Sequence, residues 1–167
     1  PGATVLSVSS AGEIAVSLNR HFVMGYEGTG TLARVPLAGG SPREVLESAQ
    51  DADWSPDGKE LAVCRIVGNR SRVEYPIGKV LYQAAGWVWN VRVSPDGRLL
   101  AFIDRPQRGN NDGHLKIIDI RGKLRLTGPL VSGGGALAWS PKGDEVWFGR
   151  IQAMALDGKV EIQTLPG

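Results

Sequence analysis

The chain carries two imidazoles, His21 and His114, and a single thiol, Cys64. Nucleophilic catalysis needs a base within hydrogen-bond reach of the nucleophile, and a metal centre needs three or four converging ligands. Neither histidine has a Cys or carboxylate partner at ligand spacing, and no G-x-S-x-G turn occurs. Both histidines read as members of loops between hairpins. Cys64 sits in the apolar run 61–66, which suits packing in a core. Gly28-Thr29-Gly30-Thr31-Leu32-Ala33 matches a relaxed dinucleotide fingerprint, but that fingerprint must open a helix. Here Pro36 and Gly39-Gly40 follow within a strand-like pattern, so the segment reads as a flexible loop between hairpins. A nucleotide-binding glycine loop of the kinase type would also need a strand lysine, a catalytic Asp and a metal-binding Asp in motif form, and none is present. Arg108-Gly109-Asn110-Asn111-Asp112-Gly113 lacks the alternating oxygen ligands and closing Glu of a calcium loop and reads as a polar turn. The residues therefore predict no catalytic group, no cofactor and no metal site.

What the chain does have is repetition. Asp53-Trp54-Ser55-Pro56-Asp57-Gly58, Arg92-Val93-Ser94-Pro95-Asp96-Gly97 and Ala138-Trp139-Ser140-Pro141-Lys142-Gly143 align, each followed by an apolar run. A worn fourth copy is Val8-Ser9-Ser10-Ala11-Gly12. Glycines 12, 58, 97 and 143 are separated by 46, 39 and 46 residues, and one four-stranded propeller blade takes roughly 40–50. In each copy Pro sets the first corner of a tight turn, Asp bonds the local backbone and Gly takes positive φ. Lys142 replaces the Asp in the last copy but keeps Pro and Gly, so the turn should survive. A second hairpin completes each unit, with turns at 38–40, 76–78, 121–122 and 157–158, and apolar and polar residues are expected to alternate along every hairpin. The last of these hairpins is expected over 151–156 and 159–163. No stretch predicts a helix. The expected fold is all-β, a partial-ring β-propeller of about four four-stranded antiparallel blades. It forms one segment, 1–167, with blades at 4–48, 49–86, 87–131 and 132–167.

These repeats resemble TolB-like, WD-type propeller repeats of bacterial proteins over essentially the whole chain. Two phrases, Gly30 to Gly40 and Asp51 to Gly58, are similar to propeller regions attached to bacterial serine/threonine protein kinases. The resemblance implies a non-catalytic binding or sensing module of a larger bacterial protein, here one that regulates such a kinase. Two alternatives stay open: a TolB-like periplasmic interaction propeller, and the propeller of a prolyl-oligopeptidase-like hydrolase whose catalytic residues lie elsewhere. Compartment is open, with the resemblance leaning outside the cytoplasm. Four blades leave the outer faces of the first and last uncovered, so the expected partners include further blades of the parent chain or a second copy of this one.

Recognition residues are expected on loops, which carry function on rigid scaffolds. Trp54, Trp139 and Trp147 fall at strand positions that predict packing between blades. Trp87 and Trp89 precede the third repeat, where one blade crosses to the next. With Asn90 they are the expected centre of a protein- or small-molecule-binding surface, surrounded by Arg20, His21, Arg70 and the 105–114 loop with His114. Aromatic residues and Arg dominate interface hot spots. The alternative is that one of the two tryptophans packs against its neighbouring blade.

Bulk properties agree with such a module. The chain is 42% hydrophobic and 22% charged, as in ordinary globular domains. A formal net charge of +2 without a basic stripe argues against nucleic acid. No apolar run approaches a membrane span, and one cysteine permits no internal disulfide.

Overall fold

The computed structural model describes residues 2–24, 27–133, 135–149 and 152–162. They form 15 strands and no helix. A seven-stranded antiparallel sheet holds β1 (Ala3–Val8), β2 (Glu13–Met24), β3 (Glu27–Pro36), β4 (Arg43–Trp54), β5 (Leu61–Val67), β6 (Arg70–Glu74) and β7 (Val80–Gln83) in chain order. A four-stranded sheet follows with β8 (Trp87–Val93), β9 (Leu99–Arg105), β10 (Gly113–Asp119) and β11 (Leu124–Val131). The last sheet holds β12 (Leu137–Trp139), β13 (Glu145–Phe148), β14 (Gln152–Ala155) and β15 (Val160–Ile162). Positions 151 and 163 of the expected final hairpin lie outside the described residues.

The seven-stranded sheet is two four-stranded units that share β4. The first part of β4 pairs with β3 (Leu32 opposite Leu46), and its second part with β5 (Asp53 opposite Ala62). Between them Ser48 takes φ 59° and the register slips between Ala49 and Asp51. An extra residue of this kind bends a strand and sharpens its twist, which lets one strand be the outer edge of one unit and the inner strand of the next.

Each interior unit buries both faces. Leu61 and Val63 of β5 pack toward the first unit with Leu32, Ala52 and Trp54, while Ala62 and Cys64, alternating with them, pack toward the third with Val88, Leu100 and Phe102. On β9, Leu100 and Phe102 face the second unit, and Ala101 and Ile103 face the fourth with Leu137, Val146 and Phe148. These strands therefore read as continuous apolar runs, which corrects the expected alternation along every hairpin. Cys64 lies in the core as expected, fully buried, and burial pushes its thiol pKa well up. Trp54 is buried in the core between the first two units, with the Arg34 guanidinium 4.7 Å from its ring centroid.

The repeated turns share one hydrogen-bond scheme. Ser55 Oγ donates to Asp57 at 2.6 Å and accepts from the amide of Glu60 at 3.0 Å, while the Gly58 amide closes the turn on the Ser55 carbonyl at 2.8 Å. Ser94 repeats this with Asp96 and the Leu99 amide. In the last copy, where Lys142 occupies the Asp position, the Ser140 hydroxyl turns to Asp144 at 2.6 Å and the turn is kept. The turns also pack on one another: Gly97 seats against Pro56, and Gly143 against Pro95.

Gly58 meets two demands, a φ of +70° and close approach to the first turn, where a Cβ would collide with Ser9 Oγ and lie 2.7 Å from Ala11 Cβ. Gly12 has φ +82° but open space around it. Gly58→Ala should therefore cost about 1 kcal/mol or more beyond Gly12→Ala, because overpacking adds to the shared backbone strain. Urea unfolding of both variants checks this, and equal losses would contradict it.

Candidate ligand-binding site

The inner strands β1, β4, β8 and β12 lie side by side in space, one from each unit, and polar groups join them. Asp53 accepts from Ser7 Oγ at 2.6 Å and from the Val93 amide at 2.8 Å. Arg92 donates Nη1 to Asp51 at 3.0 Å, and its carbonyl accepts the Trp139 indole N–H at 3.0 Å. Asp51 is 4% exposed. Burial raises its pKa to about 6, opposed by the charge of Arg92 and a bond from the Ala52 amide, with Asp53 adding a further push upward. Asp53 is also raised, chiefly by burial.

At the end of these strands away from the repeated turns lies a cavity of about 400 Å³. Val5 and Leu6 of β1, Arg20 and Phe22 of β2, Gln50 and Asp51 of β4, and Trp89, Asn90 and Arg92 of β8 line it. Pockets of this size accept small ligands when apolar walls carry a few placed polar groups. Arg20 reaches in because β2 continues past its partner register: the pairing with β3 slips between Leu18 and His21, and Asn19 takes φ 52°. A second slip, between Trp89 and Arg92 with Asn90 at φ 55°, lets these three residues of β8 line one cavity. Asn tolerates that left-handed backbone better than most residues. The Asn90 amide donates to the Gly135 carbonyl, which ties β8 to the start of the last unit.

Of the residues expected to form a binding surface, the cavity gathers Arg20, Trp89 and Asn90. Trp87 is corrected to core: it is 1% exposed and stacks on Trp89 with ring centroids 6.0 Å apart and planes 13° off parallel. Arg105, opposite Trp87 on β9, places its guanidinium 4.8 and 5.1 Å from the two ring centroids and donates to the Gly133 carbonyl at 2.8 Å. Trp89 is half-buried and keeps part of its surface for the cavity. His21 and His114 are corrected from loops to strands β2 and β10. His21 lines a separate shallow cavity with Thr29 and Glu47, and His114 faces solvent with Nδ1 3.2 Å from the Gly128 carbonyl. Arg70 is exposed at the start of β6 and does not reach the cavity.

Two further expectations change. The 28–33 segment is not a flexible loop but part of β3. Gly30 is buried there with no room for a side chain, since a Cβ would meet Ser17 Oγ and stand 2.5 Å from the Leu18 carbonyl oxygen. Trp147 is 39% exposed: on β13 its neighbours Val146 and Phe148 take the inward face, so period two sends it outward. The residues missed from the sequence include Val5, Leu6, Phe22, Gln50, Asp51 and Arg92. Their signal was available in part, since Ser7, Asp53, Arg92 and Ala138 occupy one position of the aligned repeats, and Val5, Asp51 and Asn90 lie two residues before it. Among the described residues no three His, Cys, Asp or Glu side chains come together as a metal site.

No protein-family profile and no curated protein matches the chain. Solved structures do. TolB from Acinetobacter baumannii matches at TM-score 0.67 and 19% identity, over 95% of this chain and 42% of its own. The putative TolB from Agrobacterium tumefaciens matches at 0.68 and 22%, over 92% and 62%. The chain has a β-propeller fold. The β-propeller domain of the Trilobed protease from Pyrococcus furiosus, described as having an open velcro topology, also matches, at 0.62 and 15%, over 95% and 56%. At such identities the likeness is one of fold, and this propeller segment spans about half the length of the chains it matches.

The raised Asp51 gives the fold a pH dependence of defined sign. Its native pKa, about 6, lies above the ordinary 3.8. The native state therefore holds a proton that the unfolded chain releases, and the stability this contributes is lost as pH rises through about 6. The lowered carboxylates Asp57, Asp96 and Asp144 act oppositely and at lower pH. Between pH 4.5 and 7 the Asp51 contribution should fall by about 2 kcal/mol. Urea unfolding at both pH values should show Asp51→Asn losing most of that fall; an unchanged difference would contradict the assignment.

Proposed function

We propose that this chain is a non-catalytic recognition module of a larger bacterial protein, and that it binds its ligand at the inner-strand cavity. One observation carries the reading: Arg20, Trp89, Asn90 and Arg92, from two units of the propeller, converge on one concave site. A half-buried aromatic ring sharing one cavity with two guanidinium groups is the chemistry of a recognition hot spot. The fixed inner strands would present it with little reorganisation on binding.

The parent protein is proposed to supply the rest of the ring. Val8 on β1 is 56% exposed and Trp147 on β13 is 39% exposed, so the first and last units each leave apolar surface for a neighbouring blade or a second copy. The regulatory reading, in which ligand binding informs an attached serine/threonine kinase, rests on the Gly30 to Gly40 and Asp51 to Gly58 phrases.

Amide NMR of the chain, titrated with a library of soluble aromatic and polar fragments, tests the site. Shifts are expected to cluster at residues 20–22, 50–51 and 89–92. Hits confined to the glycine-lined cavity of Gly133, Gly135 and Gly149, or to no defined patch, would overturn it.

A further inference from the structure

Charge in the cavity is unbalanced. Arg92 is neutralised by Asp51 at 3.0 Å. Arg20 forms no ion pair among the described residues. Its Nη1 donates to the Gln50 carbonyl at 2.9 Å, which fixes the guanidinium, and its other N–H groups make no hydrogen bond among the described residues. Half-burial lowers its pKa, opposed by the charge of Asp51. The backbone makes room for this arrangement: a Cβ on Gly28 would lie 2.8 Å from Arg20 Nε and 3.0 Å from Nη2. Gln50 lines the same cavity at 1% exposure, with its amide oxygen accepting from Ser71 at 2.6 Å and its amide nitrogen without an acceptor among the described residues. Val5, Leu6, Phe22 and Trp89 supply the cavity's apolar lining.

Resting on the cavity's being the binding site, we infer that it is selective for a carboxylate carried next to an apolar or aromatic group, with Arg20 as the residue that recognises the anion. A held guanidinium with unused donors matches a planar carboxylate in charge and geometry. A guanidinium with no ion pair among the described residues suits one anionic group, and a neutral amide at that place would forfeit the charge-assisted bond. Phe22, Val5 and Trp89 would cover the apolar part of the ligand. A free acid of low mass and the C-terminus of a peptide share this chemistry.

Calorimetric titration with N-acetylphenylalanine and with its primary amide tests the inference. A tetrapeptide ending in phenylalanine, as free acid and as amide, separates the two sources of the carboxylate. The acid of at least one pair should bind saturably and at least tenfold more tightly than its amide. Arg20→Gln should abolish that preference and Arg20→Lys should retain part of it, with all variants unfolding at a similar urea midpoint. The stronger of the two acids identifies the source. Acid and amide binding alike, or a preference that survives Arg20→Gln, would overturn the carboxylate assignment while leaving the cavity as a binding site. No binding by any of the four probes would overturn it as well, and fragment shifts at the cavity would then still distinguish that result from failure of the site itself.

Discussion

The Asp53 carboxylate joins three inner strands, taking the hydroxyl of Ser7 on β1 and the amide of Val93 on β8 while sitting on β4 itself. The fold needs such a joint. Unit packs on unit largely through apolar side chains, and apolar contact sets distance without setting register. A carboxylate held between two donors fixes where the inner ends of the sheets stand relative to each other, and burial makes loss of either donor costly. Arg92 extends the joint in both directions, to Asp51 within the cavity and through its carbonyl to Trp139 of the last unit.

The cavity is a consequence of that arrangement. Its walls come from strands of the first, second and third units, so its shape depends on how those units are placed. The slips in β2 and β8 then take Arg20 and Asn90 out of the regular ladder and into the cavity lining. Strand irregularities beside a site are a common way of re-aiming side chains. Stability and the proposed recognition would therefore share residues: Asp51 and Arg92 stitch the core and also line the cavity. Trp87 and Arg105 act one layer behind, where they hold Trp89 from below without reaching the ligand space.

Much of the fold was legible because its turns are local. Pro56, Pro95 and Pro141, with the glycines two residues on, define corners that the chain can form without distant help, and the Lys142 copy survives because Asp144 takes over the serine hydroxyl. Burial was less legible. Leu61 to Cys64 serves two interfaces at once, which only the stacking of units reveals, and Trp147 looked like core until a described sheet left its face open. The site was half legible. Trp89, Asn90 and Arg20 were expected from residue type and position and line the cavity, but the burial of Trp87 depends on packing across strands, including its partner Arg105, 18 residues away. Asp51 and Arg92 were passed over because each sits in a repeat that looked purely structural.

The direct test of this account is a double-mutant cycle between Ser7 and Asp53, read by urea unfolding. If their bond sets the register of the inner strands, the single variants Ser7→Ala and Asp53→Asn will each destabilise the chain. The double variant will then lose less than their sum, with a coupling energy of about 1 kcal/mol or more. Additive losses, with coupling within about 0.3 kcal/mol of zero, would show that the bond between Ser7 and the inner-strand carboxylate is not what the fold depends on.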